Sequence, residues 1–294
     1  MTTNSEKEPS FLDSLVISEE AVKSPYFGII YGGDGVGKTH LCKFAPKPFF
    51  IAVEKGVEKV AGVGKFTIKN PDGMDVVYMP KSQDEFFQMM LKFCRKGHDY
   101  KTIVIDSGMF VDKLFIADVI AKNPTYTNKN GTFAVTSIQD YDYGAGYEKL
   151  QSTWSGMFFA AVDKLHSRGI NVILIAHARM KDTLDNNGDK YPKWQIDMVE
   201  FGATSIPRLL SNKADFVFYM EAEVSTSKKA GPFGAAPRTV ADDLGPGNIK
   251  LYTRKTSRFN AKVRATDANN VADEYEIDIR NDETSKLIFK DLEK

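Results

Sequence analysis

The chain has 294 residues, is 42% hydrophobic, and balances 39 Lys and Arg against 39 Asp and Glu. That length and apolar content suit one large α/β domain, and zero net charge excludes a global basic coat, though not a local basic patch. The two cysteines, Cys42 and Cys94, belong to no CxxC or Cys/His cluster, which argues against a disulfide scaffold or a zinc site.

Residues 1–24 are polar, without the apolar core of a signal peptide, apart from the patch Phe11, Leu12, Leu15, Val16 and Ile17. The segment reads as a partly ordered arm or as a strap whose patch docks on a neighbouring subunit. Tyr26–Tyr31 is a short apolar run ending in glycine, which predicts a buried strand. Lys38–Phe44 continues as a helix, stopped by Pro46 and Pro48, and Phe49–Val53 is a second strand ending on Glu54. Ser82 and Glu85 form a capping box for a helix that buries Phe86, Met89, Met90 and Phe93 and closes at Gly97. Thr102–Ile105 is a third strand, ending on Asp106. Tyr147, Leu150, Trp154, Phe158, Ala161 and Leu165 recur at helical spacing up to Gly169. Asn171–Ala176 is a fourth strand, ending on His177, and Asp215–Met220 a fifth. Strands alternating with helices predict a mostly parallel, doubly wound sheet. No apolar run approaches the ~20 residues that span a bilayer, so a soluble, cytoplasmic protein with no membrane contact is expected. Three long stretches read as irregular: 124–142, 180–203 and 224–247, the last a flexible excursion rich in Gly, Pro, Ala and Ser.

The most specific signal is Gly32-Gly33-Asp34-Gly35-Val36-Gly37-Lys38-Thr39, a complete G-x-x-x-x-G-K-[ST] phosphate-binding loop between a predicted strand and a predicted helix. Glycines let the backbone curl so that successive N–H groups face phosphates, and the helix N-terminus adds a favourable dipole. Lys38 is placed to reach the β- and γ-phosphates of ATP, Thr39 to ligate Mg2+, and His40 closes the nucleotide-binding segment. Asp106, at the end of a buried strand, is the natural second magnesium group. Glu54 ends the neighbouring strand, where a carboxylate can deprotonate the attacking water; the alternative is a solvated strand-end acid. His177 is placed to hydrogen-bond the γ-phosphate, or else simply to cap its strand. Lys262 and Arg264, two apart on one strand face, suit cationic fingers on a neighbour's γ-phosphate, a nucleic-acid contact or a plain basic strand.

These residues, in this order, resemble the RecA-like ATPases: YGGDGVGKTH, then FIAVE, TIVIDSG, NVILIAHARM and a basic strand with AKVR. The length and the AKVR ending look closest to phage nucleotide-binding proteins of the Sak-four type, which act in single-strand annealing and recombination. The resemblance implies an α/β, RecA-like P-loop core over 25–265 with a C-terminal β extension at 266–294. It further implies that 124–142 and 180–203 correspond to the two DNA-binding loops. Tyr126, Tyr191 and Trp194 would then stack bases, and Lys181, Lys190 and Lys193 would meet phosphates. Single-stranded DNA, further copies of the chain in a filament or ring, and a single-strand-binding protein are the partners this reading implies. His177 stands where RecA itself carries glutamine. The rival readings are a helicase-type or loader motor working through a protein partner, and a small-molecule kinase.

Overall fold

A computed structural model describes residues 24–129, 131–223, 225–229, 238–242, 249–264, 271–278 and 281–292. The apolar patch of the N-terminal arm lies outside the described residues, as does most of 224–247.

Strand β1 (Phe27–Gly32) runs through the phosphate-binding loop into helix α1 (Lys38–Cys42), and β2 (Pro48–Ala52) follows. Three short strands, β3 (Gly64–Lys65), β4 (Thr67–Lys69) and β5 (Asp75–Val77), precede α2 (Gln83–Leu91). β6 (Thr102–Asp106) leads into α3 (Gly108–Lys122) and a hairpin of β7 (Thr125–Asn128) and β8 (Gly131–Ala134). A helical column then stacks α4 (Ala145–Ser152), a π turn at Thr153–Phe158 and α5 (Phe159–His166). β9 (Asn171–Leu184) turns back as β10 (Lys190–Ile196), and the small pair β11 (Glu200–Phe201) and β12 (Thr204–Ser205) leads to α6 (Ile206–Lys213). β13 (Phe216–Ala222), a hairpin of β14 (Ser225–Lys229) and β15 (Arg238–Asp242), β16 (Ile249–Tyr252), β17 (Lys262–Val263), β18 (Glu274–Ile277) and α7 (Glu283–Leu292) complete the order.

The central sheet runs β18-β16-β13-β1-β9-β6-β2-β3, with β10 added to β9 and β17 to β13. Its middle, from β13 to β3, is parallel; β16, β17, β18 and β10 are antiparallel additions. The C-terminal segment therefore continues the same sheet as its edge. β1 is buried along its whole length, as expected of a strand covered on both faces. Phe27, Ile29 and Tyr31 enter one core with Phe86, Phe115, Trp154 and Phe158, while Ile30 enters the other with Leu41, Ile288 and Phe289. Alternate residues of a strand face opposite sides, so one apolar run anchors both helical layers.

Register places the chemistry at one end. Gly32 lies opposite His177, Ala52 opposite Asp106, and Asp106 opposite Ile175, so the carboxyl ends of β1, β2, β6 and β9 form one rim. In open α/β sheets that rim is where ligands bind.

Three sequence expectations change. Residues 180–203 are not irregular: β9 runs beyond Ala176 to Leu184, and β10 returns with Trp194 opposite Met180. The Asp185 carboxylate accepts the Asn187 and Asp189 N–H groups and holds the turn between them. The hairpin projects beyond the core, and its outer residues, the exposed Met180 and Leu184 included, form no buried apolar run that would mark it. Residues 124–142 likewise contain the β7–β8 hairpin and a short 3-10 turn capped by Ser137. At α2 only half of the capping box forms. Ser82 Oγ accepts the Glu85 N–H at 3.2 Å, but the Glu85 carboxylate turns to the Lys81 N–H and the Tyr78 hydroxyl.

Candidate active site

The phosphate-binding loop turns through the left-handed region at Gly35 (φ 74°) and Gly37 (φ 84°), a backbone that L side chains rarely adopt. Val36 between them is buried in the α1-side core and anchors the loop. Gly32 and Gly33 contribute carbonyls: buried Lys38 donates through Nζ to both, at 3.0 and 2.6 Å. Burial pulls the Lys38 pKa below its ordinary value, against the opposing charges of Asp34, Asp106 and Glu54. An anion arriving here meets an ammonium already stripped of water. His40 differs from expectation. One residue on from Thr39 the helix has rotated by about 100°, and the His40 ring lies edge-on to Phe44 and 3.5 Å from Asp282, away from the loop mouth.

Thr39 Oγ1 donates to Asp106 Oδ2 at 2.7 Å. Burial raises the Asp106 pKa to about 6, partly offset by the Thr39 hydrogen bond, with the Glu54 charge pushing further upward. A hydroxyl and a buried carboxylate make a pair of hard oxygen donors, which fits Mg2+; that ion keeps waters and phosphate oxygens for its other positions. Among the described residues no group of three or more His, Cys, Asp or Glu offers a dedicated cage for another metal.

Glu54 is set against Asp106 by the backbone. The Asp106 carbonyl accepts both the Val53 and the Glu54 N–H, at 2.7 and 3.2 Å. His177 then bridges β2 to the phosphate-binding loop, with Nε2 3.1 Å from Glu54 Oε1 and Nδ1 on Asp34 Oδ1. Both ring nitrogens can donate only in the imidazolium form. In keeping with that, the Glu54 hydrogen bond raises the His177 pKa above its usual value. For Glu54, burial alone would raise the pKa, but the His177 bond and the nearby charges outweigh it and hold the carboxyl below the usual range. Glu54 is thus ionised at neutral pH. Asp34, Lys38, Thr39, Glu54, Asp106 and His177 all line one cleft of about 300 Å³. A larger cavity of about 760 Å³ lies between the β4–β5 hairpin and α2, but Phe66, Ile68, Met89 and Leu91 line it and no such constellation faces it.

Lys262 and Arg264 are not brought to this cleft. β17 pairs with the start of β13, placing Lys262 opposite Val217, and the Arg264 N–H bonds to the Asp215 carbonyl. That is the amino-terminal end of the strands, opposite the rim. The Arg264 guanidinium donates to the Asn212 carbonyl at 2.7 Å. Trp194 and Lys193 also sit differently from a free loop: Lys193 is buried, and Trp194 is half-buried over Tyr219. Tyr126 is half-buried edge-on to Tyr141.

The Asp34–His177 link and the doubly used Asp106 carbonyl escape sequence reading, because each joins segments far apart in the chain. Lys55 and Gly56, which also line the cleft, carried one available signal: they directly follow Glu54.

A family model described as an AAA domain matches residues 24–265. The SPbeta prophage-derived uncharacterized protein YorG of Bacillus subtilis (strain 168) is similar at 29% identity over 170 residues, which is 56% of this chain and 43% of that protein. The match thus spans less than half the length of that relative. Among the described residues, no helix is long and apolar enough to cross a membrane.

Proposed function

This chain belongs to the AAA-domain family of P-loop ATPases, and on that premise we propose that it is a magnesium-dependent ATPase of the phage recombination type, acting on single-stranded DNA in annealing or strand exchange. The observation that carries the catalytic half is the convergence of Lys38, Thr39, Asp106, Glu54 and His177 on one cleft at the strand rim. Lys38 would exchange its two loop carbonyls for the β- and γ-phosphates. Thr39 and Asp106 would hold Mg2+, which would supply positive charge to neutralise the phosphates. Glu54, ionised and held by His177, would be the base for the attacking water, and His177 would hydrogen-bond the γ-phosphate.

The DNA half rests on the RecA-like order of motifs and on the projecting β9–β10 hairpin, which carries Lys181 and Lys190 beyond the sheet. That YorG is prophage-derived by name agrees with a phage setting. The test is ATP turnover with and without single-stranded DNA, alongside Lys38→Ala. Stimulation by DNA, abolished in Lys38→Ala together with nucleotide binding, is expected. Turnover that DNA leaves unchanged would favour the motor that works through a protein partner. Full activity in Lys38→Ala would remove the loop from catalysis.

A further inference from the structure

Two connections near the rim meet ring to ring. Tyr147 of α4 is buried, and Phe201 of β11 lies flat against it, with centroids 4.4 Å apart and planes within 8°. Phe201 remains 51% exposed, so the stack ends in solvent. The contact depends on Gly144. Its φ of 79° is in the left-handed region, and a Cβ there would come within 2.9 Å of the Phe201 ring. Immediately before it, Tyr143 holds φ 54°, where a bulky residue is a genuine outlier, yet its side chain is 100% exposed. A strained backbone that presents a wholly solvated ring gains nothing in packing, and such strain persists where a site uses it.

Cations belong to the same connection as Phe201. Arg179 and Lys181 are paired with Glu200, the residue before Phe201, at 2.9 and 2.6 Å, and Arg179 also lies 3.5 Å from Asp197. Arg208 is anchored on the Ala203 carbonyl, two residues beyond it. A flat, solvent-ended aromatic stack, in a connection that also carries guanidinium and ammonium groups, suits a planar ring on an anionic tether.

We propose that Tyr143 and Phe201 form a base-stacking platform for single-stranded nucleic acid, with Phe201 extending the Tyr147 stack by one base and Tyr143 taking a neighbouring one. Arg179, Lys181 and Arg208 meet the connecting phosphates. The proposal rests on the DNA-binding reading above and replaces Tyr126, Tyr191 and Trp194 as its stacking residues. Every base has a π-face, so the platform is sequence-tolerant.

The experiment measures binding of the full chain to a labelled oligo-dT and to an abasic strand of equal length, by fluorescence anisotropy. The parent should prefer oligo-dT. Tyr143→Gly and Phe201→Leu should each weaken oligo-dT binding by roughly 5- to 150-fold while leaving abasic-strand affinity and ATP binding unchanged. Tyr143→Gly relieves the left-handed strain, so it should melt no lower than the parent, and lost binding cannot be ascribed to misfolding. Variants that keep the parent's preference for oligo-dT, or a parent that binds both strands equally, would overturn the platform while DNA binding stood. A parent that bound neither strand would overturn both.

Discussion

The two ends of the parallel strands carry ionisable groups in opposite ways. At the carboxyl rim they are held by the loop or by one another: Lys38 by the Gly32 and Gly33 carbonyls, Asp106 by Thr39, and His177 by both Asp34 and Glu54. At the amino end, Asp215 accepts the Phe27 N–H, and Arg264 rests on a backbone carbonyl with its surface open. The contrast shows what the rim lacks. Its lining offers Lys38 and Lys55 as its lysines and no arginine, whereas phosphoryl transfer develops charge that a second, mobile cation stabilises. The other end of the molecule carries Lys262 and Arg264.

The largest expected effect tests whether a neighbouring copy joins the two ends. Replacing Lys262 and Arg264 together by Ala should leave ATP affinity intact, since both lie far from this chain's own cleft, but cut hydrolysis by about 10³- to 10⁵-fold. Mixing that variant with Glu54→Gln should restore part of the activity, because some interfaces would pair an intact Glu54 with intact fingers. Mixed oligomers that stay silent would make the pair an ordinary basic strand. Next comes the rim itself. Glu54→Gln keeps the shape but removes the base, and turnover should fall by roughly 10²- to 10⁴-fold with ATP still bound. Asp106→Asn should instead raise the magnesium concentration needed for binding, read by titrating the ion at fixed ATP.

The smallest effect distinguishes two buried acids with similar titration but different duties. Asp112 of α3 accepts Trp154 Nε1–H at 2.7 Å and the Val199 N–H at 2.9 Å, and burial raises its pKa to about 7. A raised folded pKa gives stability that is complete below the unfolded value, near 4, and lost as pH climbs through about 7. Urea melts of the parent should therefore show stability falling across that window, and Asp112→Asn should show a shallower slope, the remainder belonging to Asp106. At its least favourable pH the variant should lose on the order of 1–3 kcal/mol, because one N–H loses its acceptor. ATPase activity should be untouched, unlike in Asp106→Asn; a turnover defect in Asp112→Asn would place that acid in the chemistry.

Much of the rim is readable from sequence because its parts are local. A glycine-rich loop between strand and helix needs its residues contiguous, and an acid ending an apolar run is visible as such at Glu54 and Asp106. The rest depends on partners brought from a distance. Trp194 reads as exposed because lysines and proline surround it, yet Tyr219 covers it from a strand that lies later in the chain. The β9–β10 hairpin hides for the same reason, since hydropathy marks only what the core buries. The single helix expected from Tyr147 to Leu165 does form a continuous column, but the π turn that aims Trp154 at Asp112 leaves no periodic trace.

One carbonyl has a practical consequence for dissecting the reaction. Because the Asp106 oxygen receives the amides of both Val53 and Glu54, the backbones that carry the two acids are held at a fixed spacing by main chain alone. Neither side chain contributes to that spacing. Shortening Glu54 to Asp, or lengthening Asp106 to Glu, should therefore move one carboxylate by a single methylene while its counterpart stays in place. A series of such variants becomes a probe of distance in which the two backbones keep their spacing while the side-chain partners His177 and Thr39 respond.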